Sequence, residues 1–227
     1  MKEKTSQLTG FYKLSPKERA QLVKDFADLT DEEVNTLQST GSLDLDLANR
    51  MIENVVGAFP VPLGIAVNFL VNNLYYLIPM AIEEPSVVAA ASYAAKMVRE
   101  GGGFYANSTA QIMIGQIQAV GIKDPHRAKM AIYAAKDEIL KKANEQDPML
   151  VSVGGGAKDL EVKVINAQTG PMVITELHVD CRDVMGANAV NTMAEAVAPL
   201  RERITHGRVC LRIISNLAVK RLVRAWC

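Results

Sequence analysis

Short amphipathic helices are the elements that the polar and apolar positions of the first fifty residues predict. Ser15 and Glu18 have the spacing of a capping box, in which two side chains satisfy free backbone N–H groups at a helix start. Thr30 opens the same pattern before a second helix through Leu37, and a third helix begins near Asp46 and carries apolar residues to position 56. Helices this short cannot bury a large core alone, so we expect them to pack against something else, such as a partner subunit.

The most apolar part of the chain lies between residues 55 and 80, where Pro, Gly and Asn residues interrupt it. It therefore predicts buried strands and not a membrane span, which would need about 20 consecutive apolar residues. Asn72 and Asn73 separate two apolar runs, which is the pattern of a β-hairpin. An alanine-rich helix is then predicted from Ser86 to Arg99, where three glycines stop it.

Strand and helix patterns alternate in the second half of the chain. The predicted strands and helices are residues 111–120 (strand), 125–145 (helix), 159–166 and 172–179 (strands), 187–205 (helix) and 209–214 (strand). The order β-α-β-β-α-β is the ferredoxin-like arrangement and indicates an α+β protein. Residues 217–227 are basic with a helical pattern, so we expect a C-terminal helix or a chain that stops inside an element.

Composition and charge argue against several kinds of partner. Lys and Arg together number 25, as do Asp and Glu, so the net charge does not favour bulk binding of nucleic acid. Cys181, Cys210 and Cys227 have neither metal-ligand spacing nor the density of a disulfide framework, which favours a reducing compartment. The polar start of the chain lacks the apolar segment of a signal peptide. We expect a cytoplasmic protein with no metal site, no nucleic-acid partner and no membrane association.

The sequence Asp-Val-Met-Gly-Ala-Asn at residues 183–188 is the most informative motif, because it lies between a predicted strand and a predicted helix. A turn of small residues lets the backbone approach a ligand closely. The helix start adds free N–H groups and the positive end of the helix dipole, which suit a phosphate or diphosphate. The motif is neither a Walker loop nor G-x-G-x-x-G. On spacing alone, a tight turn with Gly186 in an unusual conformation is therefore the better interpretation.

Three sequence blocks together resemble the hydroxymethylglutaryl-coenzyme A reductase family of the bacterial and archaeal type, class II. They are residues 53–57 (ENVVG), residues 83–92 (EEPSVVAAAS), and residues 183–188 (DVMGAN) with 191–193 (NTM). The resemblance implies reduction of HMG-CoA to mevalonate and free coenzyme A by two hydride transfers from NADH or NADPH. Some class II members run the reaction in the oxidative direction.

The resemblance also implies a domain layout and a homodimer with active sites at the subunit interface. Residues 1–50 would form an N-terminal helical region, and 51–107 the first part of a large α/β domain that binds the acyl-coenzyme A. Residues 108–217 would form an inserted small ferredoxin-like domain for the dinucleotide, and 218–227 would re-enter the large domain, which is incomplete.

The resemblance assigns three residues to the substrate side, and each has a simpler alternative. Glu84 matches the catalytic acid, whose proton would neutralise charge developing on the carbonyl oxygen, and holding that proton requires burial or suitable neighbours. Its alternative is a carboxylate stabilising the start of the following helix. Ser86 is a substrate contact or a helix cap. Glu53 contacts the acyl portion of the substrate or is a polar member of the third helix.

The same resemblance assigns seven residues to the cofactor side. Five of them belong to the loop at residues 183–188, and the other two are Asp147 and Asn216; the full set is Asp147, Asp183, Met185, Gly186, Ala187, Asn188 and Asn216. Asp147 would meet the adenosine ribose, where a carboxylate accepts hydrogen bonds from a 2′-hydroxyl and repels a 2′-phosphate, so NADH is favoured over NADPH. The alternatives are a turn residue for Asp147 and a turn-forming amide for Asn216.

The family's catalytic Lys, Asp and His would come from sequence beyond the small domain. We therefore expect a truncated chain that is inactive, or nearly so, by itself. The competing interpretation is a non-catalytic module that binds a dinucleotide or mediates dimerisation.

Overall fold

The structure is a computed structural model that describes residues 4–41 and 43–227. The chain divides into two compact units, one comprising Met1–Ala106 with Ala225–Cys227 and the other Asn107–Arg224. Within the described ranges, no helix has both the length and the hydropathy needed to cross a bilayer.

The first unit begins with a short 3-10 helix, Phe11–Lys13, and three α-helices: α1 (Pro16–Ala27), α2 (Asp31–Gln38) and α3 (Leu45–Met51). The two expected capping boxes are confirmed, because Ser15 and Thr30 each accept a hydrogen bond from the backbone N–H three residues later. These contacts are local, which is why the sequence pattern was sufficient to place them.

The third helix is shorter than expected. It ends at Met51, because Ile52 is extended and Asn54 has a positive φ of 56°. The prediction that it continues to residue 56 was wrong, as was the prediction of a buried strand there. Val56 is 99% and Phe59 89% exposed, so these apolar side chains have no cover within the described residues.

The expected hairpin is confirmed as β1 (Leu63–Val71) and β2 (Leu74–Ala81), which pair antiparallel. Asn72 and Asn73 at its tip have φ of 50° and 64°, the left-handed pair that a tight hairpin turn requires. Helix α4 (Val87–Glu100) follows, close to the predicted bounds, and packs on β1. The Oγ of Ser92 joins the two elements, since it accepts the Val67 N–H at 3.1 Å.

The second unit contains a four-stranded antiparallel sheet with helices. Its elements are β4 (Ile112–Val120), α5 (Pro125–Ala134), α6 (Lys136–Asn144), α7 (Pro148–Ser152), β5 (Gly156–Ala167), β6 (Gly170–Asp180), α8 (Ala187–Thr205) and β7 (Arg208–Ile214). The strand order is β5-β6-β4-β7. The core lies between the sheet and α5, α6 and α8, where Ile117, Ile139 and Leu177 are completely buried. The protein is therefore a mixed α+β chain with antiparallel sheets.

Two expectations for this half were wrong in detail. The single helix over 125–145 is two helices, because Ala135 (φ −95°, ψ 13°) leaves the helical conformation between α5 and α6. Ala135 does not disfavour a helix, so packing sets the bend. Ile132 and Ile139, on either side of it, are both completely buried in the same core.

The expected C-terminal helix was also wrong. Residues 217–222 form turns, and a last strand, β8 (Val223–Trp226), pairs with β3 (Tyr105–Ser108). In the first unit the rings of Tyr105 and Trp226 stack with centroids 6.2 Å apart. The partner of β8 lies more than one hundred residues earlier in the chain, so a local periodicity could not reveal it.

Candidate functional site

The loop between β6 and α8 has a backbone that only glycine can form at one position. Gly186 occupies the N-cap of α8 with φ of 94°. A Cβ placed there would lie 2.3 Å from the Sγ of Cys181 and 2.8 Å from its Cβ. Cys181 is completely buried, and burial raises the pKa of its thiol, so it is a packing residue beneath the loop. The loop is consequently held tightly against the end of β6.

A row of unused N–H groups follows from this geometry. Among the residues that the structure describes, no side chain caps α8, and the first turn of this helix contains no acidic residue. Within the described residues, the backbone N–H groups of Asp183, Met185 and Gly186 donate no hydrogen bond to protein. Those of Ala187 and Asn188 are at the open start of a 19-residue helix. The loop and helix together present an anion-binding surface of backbone donors and a positive helix dipole.

Strand register places the other expected cofactor residues at the same end of the sheet. Asp180, at the end of β6, pairs with Ile112 of β4 and with Gly156 of β5. Ile214, at the end of β7, pairs with Gly115 of β4. Asn216 therefore leaves the sheet at the end where the loop begins.

Asp147 caps a helix. Its Oδ1 accepts the Leu150 N–H at 2.9 Å, which makes it the N-cap of α7. The interpretation as a local turn residue therefore has a structural basis. The other carboxylate oxygen, Oδ2, accepts no hydrogen bond from the described residues. It therefore remains available to a ligand while Oδ1 caps the helix. Asn216 is exposed, and its carbonyl accepts the Ala218 N–H at 3.1 Å.

Two arginines at the loop were missed by sequence reasoning. Arg182 donates its backbone N–H to Asp180 Oδ1 at 3.0 Å and its guanidinium to the carbonyl of Gly154. Arg221 donates to the carbonyl of Val184 at 2.8 Å. No local pattern could have identified Arg221, because its partners lie nearly forty residues earlier.

The expected substrate residues lie in the first unit, and the structure brings only one of them to a cavity. Glu53 and Glu84 are exposed in turns, so the described residues do not provide the burial expected of a proton-holding carboxyl. The first turn of α4 contains no acidic residue. Ser86 is at the N-cap of α4 with φ of 73°, but its side chain accepts no capping hydrogen bond, so the capping role is wrong and the hydroxyl is available.

Ser86 lines a cavity of about 1240 Å³ within the first unit. Of the described residues, four basic ones and no carboxylate line it; the basic residues are Lys13, Lys17, Arg19 and Lys96. Arg19 donates to the carbonyl of Tyr12 at 3.2 Å, while its Nε is buried without a hydrogen-bond partner among the described residues. The cavity is thus positively charged and suits an extended anionic ligand. It was not predicted from sequence, because α1, β1 and α4 contribute to it from distant positions.

One group of potential metal ligands lies on strands β5 and β6 of the sheet. The ligand atoms of Glu161, Glu176 and His178 lie within 4.8 Å of one another. Lys163 already donates to Glu176 at 2.8 Å. Burial, followed by the nearby charge of Lys220, lowers the pKa of His178. The carboxylate of Glu176 is therefore already paired with an ammonium group.

Comparison with known proteins identifies relatives over nearly the whole chain. The family model described as Hydroxymethylglutaryl-coenzyme A reductase matches residues 15–227. The 3-hydroxy-3-methylglutaryl-coenzyme A reductase of Archaeoglobus fulgidus is 60% identical over 221 residues, which are 97% of this chain and 50% of that protein. A probable 3-hydroxy-3-methylglutaryl-coenzyme A reductase of Borreliella burgdorferi is 32% identical over 88% of this chain and 44% of that protein. The chain thus spans about half the length of the curated relatives it matches.

Solved structures agree with the sequence comparison. The 3-hydroxy-3-methylglutaryl-coenzyme A reductase of Streptococcus pneumoniae superposes with a TM-score of 0.90 at 39% identity, over 96% of this chain and 58% of that chain. A structure of the class II enzyme from the same organism, bound to NADPH in open conformations, gives a TM-score of 0.89 at 39% identity. Because the family model covers almost all of the sequence and the fold matches as well, this chain belongs to the hydroxymethylglutaryl-coenzyme A reductase family.

Proposed function

We propose that the chain is part of a class II hydroxymethylglutaryl-coenzyme A reductase that interconverts HMG-CoA with mevalonate and coenzyme A, using NADH or NADPH. The observation that carries the proposal is the set of N–H groups at the start of α8 that donate no hydrogen bond among the described residues: those of Asp183 and of residues 185–188. Such a set is suited to a diphosphate. The Streptococcus pneumoniae structure bound to NADPH, at 39% identity, supports the same cofactor class.

The domain roles are part of this proposal. The order β-α-β-β-α-β and the strand order β5-β6-β4-β7 support a ferredoxin-like domain over residues 108–217 that binds the dinucleotide. Residues 51–107, together with 218–227, would contribute to the domain that binds the acyl-coenzyme A, with residues 1–50 as its helical region.

On the cofactor side, the diphosphate would lie against the loop, with Met185, Gly186, Ala187 and Asn188 contributing backbone donors. The nicotinamide ring supplies hydride when it is bound. Asn216 leaves the sheet at the end where this loop begins and would provide an amide beside the cofactor.

Asp147 would determine which dinucleotide is preferred, because its uncapped oxygen can accept from a 2′-hydroxyl and would repel a 2′-phosphate. Asp147→Asn is the matched test, since asparagine caps a helix as well as aspartate does but has no charge. We expect the substitution to improve NADPH binding relative to NADH while leaving the melting temperature unchanged. An unchanged ratio of the two dissociation constants would remove Asp147 from the specificity argument.

On the substrate side, the basic cavity suits coenzyme A, which carries several phosphate charges. Lys13, Lys17 and Lys96 would attract these phosphates, and the free hydroxyl of Ser86 would contact the ligand. Glu84 would hold a proton for the carbonyl oxygen of the substrate, and Glu53 would contact the acyl portion. Both carboxyls are exposed here, so their roles require cover that the described residues do not supply.

A homodimer and a cytoplasmic location complete the proposal. Val56 and Phe59 are almost fully exposed in the first unit, which supports a further surface that covers them. All three cysteines are free, which is consistent with a reducing compartment.

Calorimetric titration of NADH and, separately, coenzyme A into the purified chain tests the proposal. We expect saturable one-site binding of each, with coenzyme A binding weakened by salt because it depends on lysine charges. Binding is the appropriate measurement, since the chain spans about half the length of the two relatives described above. Absence of heat for both ligands, from a chain with a cooperative melting transition, would reject the function.

A further inference from the structure

The segment after β7 passes beside the phosphate-binding loop (residues 182–186), and one side chain joins the two. The guanidinium of Arg221 donates from Nη1 to the carbonyl oxygen of Val184 at 2.8 Å and to that of Met185 at 3.3 Å. Its Nη2 donates to the carbonyl oxygen of Arg182 at 3.4 Å. A single side chain therefore holds three carbonyl oxygens of one five-residue loop.

Holding these carbonyls also determines where the neighbouring N–H groups point. In a planar trans peptide, the C=O and N–H groups lie on opposite sides. The three carbonyls point at the guanidinium, so the N–H groups of the residues that follow them, Asp183, Met185 and Gly186, are turned away from it. Within the described residues these are the N–H groups that donate no hydrogen bond to protein. The guanidinium thus fixes these three N–H groups on the other side of the loop, where they are available to an anion.

The segment that carries Arg221 is itself anchored on both sides of the arginine. The Oγ1 of Thr109 donates to the Lys220 carbonyl at 2.9 Å and accepts the Leu222 N–H at 2.9 Å. The backbone N–H of Thr109 also donates to the Leu222 carbonyl at 2.9 Å. The backbone at Arg221 is consequently fixed by Thr109, so its guanidinium contacts the loop from a fixed position.

We propose that Arg221 is a positioning residue that orients the N–H groups of the phosphate-binding loop toward the diphosphate of a nicotinamide dinucleotide. It acts through the loop backbone and does not touch the ligand. The inference rests on the proposed function, because it requires that the loop bind the diphosphate. Lysine cannot replace the arginine, since a single ammonium lacks the planar fork that serves several acceptors at once.

The test compares three variants of the chain by NADH fluorescence titration. Arg221→Gln and Arg221→Lys should each bind NADH at least about tenfold more weakly, because hydrogen bonds from a charged donor are lost or misdirected. Arg203→Gln removes the same charge in the last turn of α8, roughly 24 Å along the helix from its start, and should leave the affinity unchanged. Arg221→Lys keeps the charge and most of the aliphatic side chain. It therefore still tests the proposal if the glutamine variant does not fold.

Two further measurements separate positioning from a general structural role. Amide hydrogen exchange in a peptide covering residues 182–188 should be faster in Arg221→Lys at an unchanged melting temperature, because the loop is released while the domain stays folded. In Arg221→Ala, a low concentration of guanidinium ion should restore part of the NADH affinity. The same concentration of methylammonium should not, because it lacks the planar fork.

The outcomes distinguish this inference from the proposed function. If the unmodified chain binds no NADH, the inference fails together with the dinucleotide-binding part of the proposed function. If it binds NADH and the Arg221 variants bind equally well, the inference alone is overturned. Full affinity in Arg221→Lys would also overturn it, because charge would then suffice without the fork.

Discussion

Adding one methyl group at Gly186 should disorganise the loop between β6 and α8, where we propose that the dinucleotide binds. Gly186 has φ of 94°, and the added Cβ would lie 2.3 Å from Cys181 Sγ and 2.8 Å from Cys181 Cβ. Real side-chain atoms do not approach so closely, so either Cys181 or the loop must move. Cys181 is completely buried beneath the loop, which leaves the loop as the part that moves.

The expected cost of Gly186→Ala has two components. A left-handed conformation costs an alanine about 1–2 kcal/mol. Forcing an extra methyl group into a packed site costs about 1–3 kcal/mol more. The sum, about 2–5 kcal/mol, should appear partly as lost stability and partly as lost ligand affinity, because a displaced loop no longer aims its N–H groups together. A loss of about 1.4 kcal/mol in binding alone corresponds to a tenfold weaker dissociation constant for NADH.

Gly170→Ala is the matched control. Gly170 has φ of 111°, but an added Cβ would meet nothing within 4 Å, so this substitution has the backbone cost without the clash. The assay measures the free energy of unfolding in urea and the dissociation constant for NADH. It is applied to both single variants and to the double variant Gly186→Ala, Cys181→Ala. The double variant removes the Sγ contact and should recover part of the loss. Wild-type stability and affinity in Gly186→Ala, or the same loss in Gly170→Ala, would refute the argument for close packing at the loop.

Three further predictions concern the second unit. Arg201 is completely buried, and burial lowers its pKa to about 10. Its Nε donates a hydrogen bond to the neutral Oγ1 of Thr175 at 2.6 Å. Arg201→Met with Thr175→Val should therefore match or exceed the wild-type stability in urea unfolding; a loss above about 2 kcal/mol contradicts this. Burial lowers the pKa of His178 below 6.5, so the unfolded state binds the proton more readily, and stability should fall as pH drops below that value. His178→Gln should flatten this dependence between pH 7 and 5. Asn144 donates to a β5 carbonyl at 3.1 Å and accepts a β5 N–H at 2.7 Å, so Asn144→Ala should lower the melting temperature through a loss of about 2–3 kcal/mol. An unchanged transition would show that these two hydrogen bonds contribute no net stability.

Local chemistry explains which elements the sequence predicted well. The capping boxes at Ser15 and Thr30 and the Asn72-Asn73 hairpin depend on residues two to four positions apart, so their geometry can be read from short motifs. Helix α8 was predicted with the bounds it has, because its apolar positions repeat over five turns. The candidate loop before α8 was identified because it lies between a predicted strand and this helix. The expectation that it binds a phosphate group was favoured only by the resemblance and not by spacing.

Tertiary contacts determined the rest. The bend at Ala135 and the strand β8 depend on partners that a sequence window does not contain. The basic cavity is formed by residues between positions 7 and 96, and Arg221 reaches carbonyls nearly forty residues earlier. By itself, therefore, the sequence determined the caps, the hairpin turn, the main helices and the glycine at the loop. Only the folded structure decided which N–H groups find no partner among the described residues, because hydrogen-bond satisfaction depends on the distant groups that folding brings together.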